Sequence, residues 1–269
     1  MHPVLFKIGP ITIHTYGFLF ASGILLGILL SLRLAKRENI DTKKMADMLF
    51  YVVLIALVGA KIFLFVTELG HYLKHPDQIK YLITSGGTFY GGLIFAILFA
   101  LWYMKRKGMD ARAVGDAAAP AIALGHFFGR MGCFSAGCCY GRAAGESCLG
   151  VTFSNLYAHN HTGVPLNTPL FPTQLMEAVL NLLNFIFLLL VFRRRRFKGQ
   201  VLLLYVFNYA VIRFVVEYFR GDADRGYVFG SSAAPFTSLS VPQLISLVGI
   251  VIAVVFYSRF RKKGARQDT

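Results

Sequence analysis

Two arginines, Arg130 and Arg213, and two glutamates, Glu177 and Glu217, sit in or beside long apolar runs where a charge is expensive and needs a partner or a task. Arg213 and Glu217 are four residues apart and share a helix face. Lys61 is a fifth charge of this kind, and Tyr16 and Tyr90 fall at a similar depth near the ends of neighbouring runs. A guanidinium presents a planar fork of donors that suits two-point capture of phosphate or carboxylate. Two such groups at one depth of an apolar bundle read as a clamp for the phosphate of a membrane lipid, with Lys61 assisting and Glu217 holding the arginines in place. A clamp of this type also stabilises negative charge building on a departing phosphate. The plainer reading pairs Arg213 with Glu217 and Lys61 with Glu177, and lets Arg130 reach the interface.

The second chemical cluster is the stretch from Gly129 to Gly141, where Arg130 is followed by Cys133, Cys138 and Cys139, with Cys148 a little further on. The spacing C-x4-C-C-x8-C is not the paired C-x2-C of a zinc ribbon. Disulfides, a metal site and a reactive thiol beside Arg130 all remain open on spacing alone. Gly129 and Gly132 flank Arg130, and Gly91 and Gly92 follow Tyr90 within Ser85–Gly92. These glycines allow close approach of either a ligand or a neighbouring helix.

The elements that position these residues follow from composition. Of 269 residues, 56% are hydrophobic and only 15% charged, against about 25% charged in soluble globular domains. This is the balance of a multi-pass membrane protein. A span needs about 20 mostly apolar residues, which gives seven: Thr15–Leu34, Ala46–Thr67, Ser85–Met104, Val114–Phe134, Leu175–Phe192, Gln200–Arg220 and Gln243–Phe260. The expected fold is an all-α integral membrane protein, a seven-transmembrane-helix bundle forming a single domain over residues 1–269.

The net charge of +15 is distributed by topology. Basic clusters fall at Lys36–Lys44, Lys105–Arg112, Arg193–Lys198 and after Phe260, whereas the alternate connections carry few bases. By the positive-inside rule the N-terminus is outside and the C-terminus cytoplasmic. That pattern argues against nucleic acid as a partner. The N-terminus has no basic segment leading to a small-residue cleavage site, so the first span is expected to be retained. The stretches 135–174 and 221–242, rich in glycine and proline, are expected to form a small extracytoplasmic cap, the first of them inserted between the fourth and fifth spans.

Gly129-Arg-Met-Gly-Cys-Phe134, with Gly137 and Gly141 after it, resembles the signature of the bacterial prolipoprotein diacylglyceryl transferases. The likeness extends through His2–Pro10, Tyr16-Gly17, Phe89–Ile94, Pro172–Glu177 and Arg213–Arg220 with Asp222. It implies a multi-pass enzyme of the bacterial inner membrane with phosphatidylglycerol as donor. The acceptor would be the lipobox cysteine in the signal peptide of a prolipoprotein, and glycerol phosphate would be released. Arg130 and Arg213 match the family's essential arginines, and Tyr16, Gly91, Gly92, Glu217 and Arg220 match further motif positions. With Gly129, Gly132, Cys133 and Cys138, these are the residues expected to line the lipid site, and the reaction calls on no cofactor or metal.

The chain departs from the family where a histidine usually precedes the Gly-Gly pair, having Tyr90 instead. It also has Cys133 in place of the signature asparagine, and Ala136 and Cys138 in place of a later asparagine and glutamate. Tyr90 is expected to orient the acceptor or the lipid, with its hydroxyl in a proton relay. Two other readings fit the same residues. One is a paralogue with the same phospholipid clamp and a different acceptor, and the other is a non-catalytic lipid-binding or redox-sensing membrane protein.

Overall fold

The chain opens on an antiparallel hairpin of β1 (Val4–Ile8) and β2 (Ile11–His14). It continues through α1 (Thr15–Arg37), α2 (Thr42–Thr67), two short helices α3 (Leu69–Lys74) and α4 (Ile79–Thr84), α5 (Phe89–Arg106) and α6 (Ala111–Ala136). The next segment carries β3 (Val151–Thr152), α7 (Leu156–Thr162) and β4 (Pro169–Leu170). Then come α8 (Thr173–Arg194), α9 (Gln200–Glu217), β5 (Tyr227–Phe229), β6 (Leu239–Ser240) and α10 (Val241–Ala265). This computed structural model describes residues 2–9, 11–84, 87–145, 147–222, 226–230 and 236–265. Ser85 and Gly86, at the expected start of the third span, lie outside that set, as does part of the 221–242 stretch.

Six of the described helices are long and apolar enough to cross a membrane: Thr15–Arg37, Thr42–Thr67, Phe89–Arg106, Thr173–Arg194, Gln200–Glu217 and Val241–Lys262. The remaining expected span, Val114–Phe134, falls within α6, a helix of 26 residues, but alanine and glycine with Asp116 and Arg130 leave it less apolar than those six. Burial follows the inverted pattern of a membrane protein. On α8, Gln174, Glu177, Asn181 and Asn184 are buried while Leu183 and Leu190 are 57% and 60% exposed. Water would not tolerate so continuous an apolar surface, whereas hydrocarbon solvates it.

The chain folds as two compact units, Met1–Ser31 with Gly115–Thr269, and Leu32–Val114. In the second, α2 and α5 pack at close range. A Cβ on Gly91 would sit 2.3 Å from Phe63 Cβ and 2.8 Å from the Gly59 carbonyl, and one on Gly92 would sit 2.9 Å from the Ala56 carbonyl. Helix packing, one of the two roles open from sequence, therefore accounts for both glycines.

In the first unit α1 lies against α6 in the same manner, with Gly23 facing Phe128 and Gly132 facing Tyr16. The foot of this unit is organised by Asp116 of α6, which is fully buried. Its carboxylate accepts from the backbone N–H groups of Gly199 at 2.7 Å and Leu202 at 3.0 Å, and Arg195 Nε lies 3.5 Å away. A carboxylate at the start of α9 satisfies donors that the helix cannot satisfy itself and complements its dipole. Asp116→Ala is expected to lower unfolding stability by ~1–3 kcal/mol by stranding those donors, read as a drop in the thermal midpoint in detergent.

The stretches 135–174 and 221–242 do meet. Gly141 and Arg220 form a β-bridge, Arg142 N–H donates to the Phe219 carbonyl at 2.9 Å and Gly221 N–H to that of Tyr140 at 3.1 Å. The Arg142 guanidinium stacks over Phe236 at 5.0 Å. Beneath the crossing lies a small core of Phe153, Ala158, Val164 and Leu170, with Phe134, Tyr140 and Val151 packed on it. At Gly141 the chains are so close that a Cβ would lie 2.3 Å from the Phe171 carbonyl and 2.8 Å from that of Phe219. Both obstacles are backbone. Gly141→Ala is expected to cost ~1–3 kcal/mol through overpacking, visible as a lower thermal midpoint with the helices still formed.

Candidate active site

Three helices of the first unit bring polar stripes together. On α9, Tyr205, Tyr209, Arg213 and Glu217 recur every four residues and so lie on one face. On α6 the corresponding pair is His126 and Arg130, and on α8 the stripe is Gln174, Glu177, Asn181 and Asn184. Arg130 Nη2 pairs with Glu177 Oε1 at 3.0 Å, and Arg213 Nη2 with Glu217 Oε2 at 2.8 Å. Tyr209 lies near Arg130. His126 stands edge-on to the Tyr209 ring at 4.4 Å and meets the Tyr205 hydroxyl at 3.3 Å.

Arg220 follows the end of α9, and its Nε donates to Asp222 Oδ1 at 2.7 Å while its Nη2 meets Asp222 Oδ2. Burial works against the charged form of Arg220, but the Asp222 contact outweighs it and pushes the guanidinium further toward the protonated state.

Each guanidinium has its own carboxylate: Glu177 for Arg130, Glu217 for Arg213 and Asp222 for Arg220. Glu177 meets Arg130 across helices, while Lys61, in the other unit, donates to the Leu82 carbonyl at 2.8 Å. The pairing orients the forks without exhausting them. Arg213 Nη1 is buried and has no hydrogen-bond partner, nor have Gln174 Oε1 and Asn181 Oδ1, whereas Glu177 Oε1 is engaged by Arg130. Buried polar atoms left in this way are costly, and their chemistry divides: the Arg213 donor suits an acceptor or anionic oxygen, the two amide oxygens a donor.

Of the remaining expected site residues, Tyr16 heads α1 and packs against Gly132 and, in a ring stack at 5.9 Å, against Phe20. A Cβ on Gly129 would meet nothing within 4 Å, so its neighbourhood is open. Cys133 and Cys138 stand with Cys139 in one group whose Sγ atoms all lie within 4.8 Å of one another. Cys138 Sγ donates to the Cys133 carbonyl at 3.8 Å. Cys148 is exposed and lies outside that group. Lys61, Tyr90, Gly91 and Gly92 belong to the Leu32–Val114 unit, where Tyr90 is partly exposed and edge-on to Phe89 at 5.8 Å.

Glu177's role as Arg130's partner, and the tyrosine and histidine of the site, escaped the sequence reading. The signal was there in the four-residue recurrence Tyr205, Tyr209, Arg213, Glu217, which marks one face of a helix once Arg213 is singled out.

Fold and site together define a helical membrane protein with two arginine–glutamate pairs set among its helices. The chain belongs to the prolipoprotein diacylglyceryl transferase family, whose profile matches residues 3–259. It is 33% identical over 265 residues to the phosphatidylglycerol--prolipoprotein diacylglyceryl transferase of Clostridium tetani, covering 98% of this chain and 100% of that one. The enzymes of the same name from Bacillus licheniformis and Francisella tularensis are 30% and 32% identical. These two alignments each cover 97% of this chain, and 94% and 96% of the relatives.

Proposed function

We propose that this protein transfers the diacylglyceryl group of phosphatidylglycerol to the lipobox cysteine of prolipoproteins in the bacterial inner membrane. The observation that carries the reading is the two ion pairs Arg130–Glu177 and Arg213–Glu217, with the buried Arg213 Nη1 left without a hydrogen-bond partner. In the reaction the acceptor thiol attacks the glyceryl carbon that bears the phosphate ester. A C–S bond forms, the C–O bond breaks, and glycerol phosphate departs with the electron pair.

Arg130 and Arg213 bind that phosphate and neutralise the charge gathering on its bridging oxygen. Glu177 and Glu217 fix the two guanidinium planes before the lipid arrives, so little reorganisation is needed during the reaction. Tyr209 lies near Arg130 and is suited to orient it. The Asp222-bound Arg220 adds positive charge at the end of α9. In this reading α6 completes a seven-helix layout with the N-terminus outside and the C-terminus cytoplasmic, and the 135–222 crossing is the extracytoplasmic cap. The basic clusters at alternate helix ends support it.

Complementation tests the whole reading. Cells depleted of their own diacylglyceryl transferase should grow when they express this protein and fail with Arg130→Ala. Depleted cells that consume phosphatidylglycerol yet leave prolipoproteins unmodified would identify a different acceptor. The acceptor half is tested by Tyr90→Phe, expected to lower kcat by ~10²-fold or more if the hydroxyl relays a proton, with phosphatidylglycerol binding unchanged.

A further inference from the structure

The transfer reaction makes no use of the three thiols that α6 and the turn after it gather. Cys133 closes α6, and Cys138 and Cys139 follow Gly137, whose φ of +83° turns the chain back toward the helix end. Cys139 itself has φ +60°, a conformation that a non-glycine side chain adopts only when the surroundings hold it. The hold is visible: Thr173 Oγ1 donates to the Cys139 carbonyl and the buried Gln174 Nε2 to that of Cys138, each at 2.8 Å. The start of α8 thus fixes the backbone so that three sulfurs converge within 4.8 Å, and none of them is in a disulfide.

We propose that Cys133, Cys138 and Cys139 form a three-coordinate thiolate site for a soft d10 metal ion, copper(I) being the ion whose preferences fit it. Metal–sulfur bonds of about 2.3 Å in a trigonal plane place the sulfurs about 4.0 Å apart, within the observed limit. Among the described residues no histidine or carboxylate joins the group. Structural zinc takes four protein ligands, whereas thiolate-only donors of lower number select copper(I). Binding forms three S–Cu bonds and releases three thiol protons to solvent. The complex carries a net charge of about −2 by simple valence, which the carboxylate-paired Arg220 and Arg130 moderate. The site shares the neighbourhood of Arg130 but needs no step of the transfer reaction.

The test uses the reduced, purified full chain in detergent without lipid, titrated with copper(I) against a chromophoric copper(I) chelator. One ion should bind per chain, with thiolate-to-copper charge-transfer absorption, and bound copper should protect Cys133, Cys138 and Cys139 from alkylation while Cys148 reacts. Cys139→Ser should abolish the charge-transfer band. Gln174→Ala, which keeps all the sulfurs but frees the Cys138 carbonyl, should weaken binding by ~10–100-fold. Cys148→Ser should bind as the unaltered protein does. Failure of the reduced protein to compete with the chelator would overturn the proposal, as would equal protection of Cys148. Because no lipid or peptide is present, such a failure says nothing against transferase activity.

Discussion

Replacing Arg130 with alanine is expected to lower kcat/KM for phosphatidylglycerol by ~10²–10³-fold, the loss seen when one fixed donor to a developing anion is removed. The same is expected of Arg213→Ala, whose Nη1 is the buried donor left without a partner. Much of the effect should fall on kcat, because the phosphate gains charge as the C–O bond breaks and the contact strengthens in the transition state. Arg130→Lys should retain part of the charge effect but lose the fork, and so fall between alanine and arginine. Steady-state release of glycerol phosphate from vesicles measures all three. If Arg130→Ala raised KM alone, the arginine would be a binding residue with no special grip on the transition state.

The second large effect concerns Glu177, which is fully buried and whose oxygens face Arg130. Glu177→Ala leaves the guanidinium buried without its counter-charge, and breaking a buried pair from one side costs about 3–5 kcal/mol. The expected result is a strong fall in thermal midpoint together with loss of activity. The double variant Arg130→Ala with Glu177→Ala should recover a good part of the stability, since neither charge is then stranded, but none of the activity. That non-additivity separates the structural from the catalytic share of the pair. If the double variant were no more stable than Glu177→Ala, the two side chains would not be energetically coupled.

How far these residues could be read from sequence depended on the range of the interaction. Arg213 and Glu217 are four apart, so their pairing is written in helical periodicity, and the observed 2.8 Å contact follows the expectation. Arg130 and Glu177 are on different helices, and no local pattern says that they meet. Spans announced by long Leu, Ile and Phe runs, such as Ala46–Thr67, were legible from length alone, the helix itself starting at Thr42. By contrast α6 gains its helical length from alanine and glycine, and its place among the spans rests on its neighbours.

The glycine- and proline-rich stretches were legible as breaks in helical pattern, but their packing was not. Phe153, Val164 and Leu170 form a core where β3 pairs with β4 and α7 folds between them, and Arg142 and Gly221 tie that core to a stretch almost eighty residues away. The cysteines show the same limit. Their spacing left disulfide, metal and reactive thiol open, and it took the +60° turn at Cys139, held by Thr173, to bring three sulfurs together.

The central claim is tested most directly by a stoichiometry. Purified protein is placed in vesicles of phosphatidylglycerol labelled in both the headgroup and the diacylglyceryl part, with a peptide carrying a lipobox cysteine. The account predicts one glycerol phosphate released for each peptide that gains a thioether-linked diacylglyceryl group, with both products lost in Arg130→Ala. Release of glycerol phosphate with the peptide unmodified, or retention of intact lipid without turnover, would contradict it.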